Sequence, residues 1–166
     1  MKNSSSLISL AIGGIFLYFL LRLFKTSRTS GNTSTASALR KAEERLIIKV
    51  LTEAGYSERE AYYWSLVSKM ETAAFTSNLY KTYHNLFGMK NPVKRDTTSI
   101  GESPSGFAVY KTPLESVKDL ILYMQEWRYP KDFASLEDQL LFMKQKGYYE
   151  ESFEKYFSLV KAWEAK

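Results

Sequence analysis

From Ser57 to Glu71 the chain reads SEREAYYWSLVSKME, an amphipathic helical pattern that ends on a carboxylate and stops there. Ser57 with Glu60 three residues later is a capping box, so the start of this helix is as well marked as its end. A turn of small residues follows (Thr72, Ala73, Ala74, then Phe75, Thr76, Ser77), and after it a cluster of amide and aromatic groups: Tyr80, Tyr83, His84, Asn85, Phe87 and Gly88. Glu71 is the one carboxylate between Ser65 and Lys90. A carboxyl set among apolar and aromatic residues is poorly solvated, and the negative end of the helix dipole lies beside it; both disfavour the ionised form. Such a carboxyl stays protonated near neutrality and can serve as a general acid.

The rest of the chain supplies helices to pack around that stretch. Leu39, Ala42, Leu46, Ile47, Val50, Leu51 and Ala54 recur at three and four residues, an amphipathic helix stopped by Gly55. Between Asn91 and Tyr110 the helical pattern breaks, with Pro92, Gly101, Pro104 and Gly106 as punctuation. Thr97–Ile100 and Phe107–Tyr110 have strand-like composition, which predicts a short β-hairpin or irregular lobe. Thr112-Pro113-Leu114-Glu115 then combines an N-cap, a proline at the first helical position and a glutamate in the first turn. That helix carries Val117, Leu120, Ile121 and Met124 inward. Ser135 caps another with Leu136, Leu140 and Met143 inward, and a last one from about Ser152 presents Phe153, Tyr156, Phe157, Val160 and Trp163. The expected fold class is mainly α, an α+β arrangement with a small β-hairpin lobe.

Composition excludes several function classes. There is no cysteine, hence no disulfide framework and no thiolate metal site. His84 is the single histidine, so a multi-histidine metal centre is impossible, and no metal or cofactor is expected. The net charge of +5 suggests nucleic acid at first sight. Four of the 23 basic residues, Lys2, Arg22, Lys25 and Arg28, precede residue 38, leaving 19 against 18 acidic residues in the remainder. That near-neutral balance is not the footprint of a nucleic-acid binder.

Glu71-Thr72-Ala73-Ala74-Phe75 followed by Asn85-Leu86-Phe87-Gly88-Met89-Lys90 resembles the Glu-Ser-Gly-aromatic … Asn-Leu-Phe-Gly-Ile-Lys signature of the glucosaminidase family. Its members are lysozyme-like enzymes that cleave the glycan strands of peptidoglycan. Phe107–Tyr110 with Glu115-Ser116-Val117-Lys118-Asp119, and Gly147-Tyr148 with Tyr156, resemble later stretches of the same family. The resemblance implies a lysozyme-like fold, Glu71 as general acid, and a second acidic residue from the β-lobe, for which Glu102 is the best match and Asp96 the next. It also implies that Tyr148 lies in the cleft, stacking on or hydrogen-bonding to the sugar. Asn85 is expected to support the cleft or order the turn, and Tyr80, Phe87 and Tyr110 complete the expected substrate-binding set. Where the family has Ser-Gly after the acid, this chain has Thr72-Ala73, tolerable only if the backbone there does not need a positive φ. Two carboxyls roughly 5–5.5 Å apart would imply retention at the anomeric carbon and roughly 6.5–9.5 Å inversion, while help from the substrate's own acetamido group is a third route.

Leu7 to Phe24 is almost wholly apolar, and Arg22 near its end can snorkel to a membrane interface. The chain therefore divides into a transmembrane anchor (1–25), a flexible linker (26–37) and a lysozyme-like domain (38–166). The expected partners are peptidoglycan glycan strands and a lipid membrane, the latter through residues 7–24. Arg22, Lys25 and Arg28 after the span would keep the domain in the cytoplasm by the positive-inside rule, whereas a wall enzyme must face the wall. A bacterial envelope, or the membrane of a phage virion, is the expected location, the latter motivated by that conflict. Two other functions fit parts of the pattern: a lytic transglycosylase or muramidase of similar fold, and a non-catalytic wall-binding or structural membrane protein.

Overall fold

Among the described residues, serine and threonine side chains start five of the six helices. The computed structural model describes residues 33–164, with side chains from residue 35. Helix α1 spans Thr33–Glu53, α2 Glu58–Glu71, α3 Asn78–Tyr83, α4 Pro113–Glu126, α5 Leu136–Gln145 and α6 Phe153–Lys161; strands β1 (Gly101–Glu102) and β2 (Ala108–Val109) lie between α3 and α4. Ser57, Ser77, Thr112, Ser135 and Ser152 each accept the backbone N–H three residues on, satisfying one donor that the first turn cannot use itself. At α2 only half of the expected capping box forms. Ser57 Oγ accepts from the Glu60 amide at 3.1 Å, but the Glu60 carboxyl turns inward and accepts from Trp64 Nε1 at 3.0 Å.

Two boundaries differ from the sequence reading. Helix α1 begins at Thr33, so residues 33–37, expected in the linker, are helical, and the compact unit runs from Thr33. Propagating a helix already nucleated gains one hydrogen bond per residue, which carries α1 beyond its apolar stripe; its residues 35–42 are all exposed. The short helix α3 has no apolar periodicity long enough to announce it, and rests on the Ser77 cap. The expected membrane span, and residues 26–32 of the expected linker, lie outside the described residues. Among the described residues no helix is long and apolar enough to cross a membrane.

The core gathers around Trp64, fully buried on α2. Helix α1 packs on α2 and α4, α2 on α6, and α5 on α6. Ile47 and Leu51 from α1, Val117, Leu120 and Met124 from α4, Leu140 and Met143 from α5, and Val160 from α6 contribute the buried apolar side chains that the helical spacing predicted. Each is worth roughly 1.5–3 kcal/mol when fully withdrawn from water.

The lobe is smaller than its composition suggested. Strand β1 pairs antiparallel with β2, Gly101 opposite Val109 and Glu102 opposite Ala108, with one further bridge between Lys90 and Phe107. Thr97–Ile100, strand-like in composition, is irregular. Thr98 ties it to α4: its amide donates to Asp119 Oδ1 at 3.3 Å and its hydroxyl to the Glu115 carbonyl at 2.6 Å. Arg95 forks onto both Asp119 oxygens at 2.9 and 2.8 Å, and Tyr110 adds its hydroxyl at 2.8 Å. That clamp fixes the lobe to the helical body.

Candidate active site

Glu71 is the last residue of α2, and the chain turns at once after it. Three successive residues make that turn in the left-handed region, Ala73 (φ 49), Ala74 (φ 54) and Phe75 (φ 64). Each L-residue held there costs roughly 1–2 kcal/mol. The backbone does need a positive φ where this chain has Ala73, so that alanine is strained. Buried Thr72 holds the turn, donating its hydroxyl to the Ser68 carbonyl at 2.6 Å and accepting the Phe75 amide at 2.9 Å. Buried Phe75 anchors it against Tyr80, with ring centroids 5.5 Å apart. Strain of this kind persists only where the surroundings over-determine it.

The carboxyl is crowded on both oxygens. Tyr156 of α6 donates its hydroxyl to Oε1 at 2.8 Å. Oε2 lies against Gly88, where an added Cβ would stand 2.8 Å away; with φ +64 as well, that position accepts only glycine. Glu71 nonetheless keeps part of its surface open to solvent. Burial pushes its carboxyl up to about 7, and the Tyr156 hydrogen bond, which favours the ionised form, pulls the other way. Burial, then the neighbouring Glu71, holds the Tyr156 phenol well above its ordinary value, so it stays a donor. Tyr149 stacks flat on it at 3.7 Å between centroids and fixes its ring. An acid half-protonated near neutrality, oriented by one donor and carried on a residue that is only partly buried, can give a proton to a leaving oxygen.

Gly88 also borders a groove of about 570 Å³ whose walls include Met89, Lys90, Tyr123 and Tyr148. Tyr148, expected in the cleft, lines this groove, but its hydroxyl donates to the Phe87 carbonyl at 2.6 Å, leaving the ring rather than the phenol to face a ligand. The remaining expected substrate contacts are structural. Asn85 is wholly buried: its amide donates to the Met89 and Ala108 carbonyls at 2.8 and 3.0 Å, and its oxygen accepts from the Phe87 and Met89 amides. It orders the 85–89 turn and ties it to β2, with no donor left for a sugar. Phe87 is buried edge-on against Trp64, Tyr80 donates to Glu43 at 2.6 Å, and Tyr110 donates to Asp119. Each is spent on the core, because the same apolar surface that suits a sugar ring suits an interior better.

Glu102 is exposed on β1, its carboxylate beside the hairpin turn, where a Cβ on Gly106 would stand 3.5 Å from Oε1. Asp96 is exposed as well and its carbonyl accepts from Arg95. No carboxylate contributes to the electrostatics of Glu71, whose causes are burial and Tyr156 alone. Among the described residues no cluster of three or more His, Cys, Asp or Glu side chains gathers to hold a metal. The role missed at the sequence level is that of Tyr156. Its spacing marked it as inward-facing, but nothing in the helical pattern says that it meets Glu71, eighty-five residues away.

No curated protein matches the chain significantly in sequence. Two solved structures share its fold at 13% identity. One is a chain from a type VI secretion system effector–immunity complex of Pseudomonas protegens, with a TM-score of 0.59, covering 79% of this chain and 92% of that one. The other is the catalytic domain of the autolysin Auto from Listeria monocytogenes, with a TM-score of 0.53, covering 96% and 97%. The family model described as Glucosaminidase, mannosyl-glycoprotein endo-beta-N-acetylglucosaminidase, matches residues 66–165, which include Glu71, the left-handed turn, Gly88, the lobe and Tyr156. The chain is therefore a glycoside hydrolase that belongs to the glucosaminidase family.

Proposed function

We propose that this domain hydrolyses the β-1,4 bond on the N-acetylglucosamine side of peptidoglycan glycan, with Glu71 as the general acid. The observation that carries the reading is the placement of Glu71, its pKa raised to about 7 by burial, oriented by Tyr156 and touching the Gly88 wall of a ring-lined groove. Protonating the glycosidic oxygen lets the leaving sugar depart as an alcohol while positive charge grows at the anomeric carbon. Glu102 is the candidate for the second carboxylate, to attack that carbon or to activate water. The family membership and the autolysin fold support a cell-wall substrate.

A second reading is favoured by one observation: no carboxylate bears on Glu71. Chemistry that needs one acid alone, as in a lytic transglycosylase, or that recruits the substrate's acetamido group, suits that arrangement. Mass spectrometry of purified peptidoglycan digested by the full chain decides. Reducing N-acetylglucosamine ends support the hydrolase, 1,6-anhydro ends the transglycosylase and reducing N-acetylmuramic acid ends a muramidase. No release from any wall type would redirect attention to a binding role.

The proposal extends to location. The apolar run at 7–24, at about 1.5 Å per helical residue, is long enough to cross most of a hydrocarbon core, and would tether the domain to a bacterial envelope or virion membrane with the enzyme facing the wall. Extraction of the full chain by alkaline carbonate, without detergent, would remove the anchor from this picture.

A further inference from the structure

The groove beside Gly88 has an aromatic wall that proton transfer does not use. Trp127 lines it from the C-terminal cap of α4 and is 44% exposed, the bulkiest apolar side chain left open among the described residues. Its ring is not loose. It leans on Tyr123 with centroids 6.4 Å apart, and Tyr123 meets Tyr148 edge-on at 5.7 Å, so the three rings form one supported tier. Tyr148 has already spent its hydroxyl on the Phe87 carbonyl. Asn91 and Glu126 border the same groove, placing an amide and a carboxylate beside the rings.

That combination is chemically selective. A pyranose has an apolar face of axial C–H groups and an equatorial rim of hydroxyl and acetamido groups; a flat ring takes the first, while amide and carboxylate groups take the second. We infer that Trp127 is the platform of a second sugar subsite, which holds an N-acetylated pyranose away from the scissile bond and so anchors the strand whose neighbouring unit reaches Glu71. The inference rests on the glycan-hydrolase reading, because that reading names the occupant. Gly88 both lines this groove and lies against Glu71 Oε2, which puts the occupant beside the acid.

The test uses the full chain carrying Glu71→Gln and the linear tetramer of N-acetylglucosamine, with binding read by isothermal titration calorimetry, which does not depend on any tryptophan as reporter. Adding Trp127→Ala should weaken binding about tenfold, and Trp127→Phe should recover most of it. In the chain with Glu71 intact, Trp127→Ala should raise KM for polymeric glycan more than it lowers kcat. Equal affinity with and without Trp127→Ala, both chains folded by circular dichroism, overturns the subsite and leaves the hydrolase reading standing. Trp127-dependent binding by a chain that cleaves no glycan keeps the subsite and overturns hydrolysis. No binding to either chain overturns the subsite.

Discussion

Glu71 and Asp119 are both withdrawn from water, yet their surroundings drive their protonation in opposite directions. Burial pushes Glu71 up to about 7, against the pull of one donor, the Tyr156 hydroxyl. Burial would raise Asp119 too, but the Arg95 guanidinium, Thr97 and the Tyr110 hydroxyl overcome it and hold the carboxyl below its usual range. One neutral donor leaves an acid that gives up its proton near neutrality; a guanidinium fork with further donors leaves a permanent anion. Glu60 completes the comparison. Burial pushes it up to about 8, with only the Trp64 indole as donor, so its electrostatics resemble those of Glu71. It is sealed, however, whereas Glu71 keeps part of its surface open to solvent. A raised carboxyl becomes an acid catalyst only where a substrate can reach it.

The largest expected effect is on activity. Glu71→Gln should lower cleavage of wall glycan by roughly 10²–10⁴-fold, the usual contribution of a general acid, read by release of reducing ends. The same variant should be the more stable protein at pH 8. Because the folded pKa of Glu71 is raised, the native state holds its proton after the unfolded chain has lost it, so stability falls as pH rises from about 4.5 through about 7. The lost stability is on the order of 3 kcal/mol, and Gln escapes it. A melting temperature at pH 8 no higher than wild type would show that burial does not raise the folded pKa of Glu71.

On the other side of the comparison, Asp119→Ala leaves Arg95 with its fork unpaired. A loss of roughly 3–5 kcal/mol in denaturant unfolding is expected, with activity falling only as far as the fold does. A loss under 1 kcal/mol would mean that the clamp does not secure the lobe.

Tyr156→Phe is subtler. It removes the bond that favours the ionised Glu71, so the alkaline limb of kcat/KM should move to higher pH, with a rate loss of about tenfold from poorer orientation. A merely structural tyrosine would lower the rate without moving the limb. The smallest effect belongs to the turn: Ala73→Gly relieves one left-handed residue and should stabilise the domain by about 1 kcal/mol, a few degrees in Tm. Destabilisation instead would mean that the unfolded-state entropy of glycine outweighs the strain.

Much of the framework was legible locally. Ser57, Thr112, Ser135 and Ser152 announced their helices because a cap acts within three residues, and Glu71 was readable as the end of α2 because the apolar pattern stops there. The Asn85–Lys90 run carried the family for the same reason: its turn is bonded largely within itself, by Asn85. The residues that face a ligand were harder. Tyr80, Phe87 and Tyr110 share the composition of a sugar platform and went to the core, while Trp127, which lines the groove, stands at a helix end with no pattern around it.

By itself, then, the sequence determined most of the helices and their caps, the carboxylate that ends α2 and the family, all fixed by interactions between residues close along the chain. Only the tertiary structure decided what that acid is chemically. Burial raises Glu71, while the Tyr156 hydroxyl that orients it comes from α6 and the Gly88 wall against it from the turn after α3. Desolvation depends on every atom packed around a charge, and no local pattern records which of those atoms arrive from elsewhere in the chain.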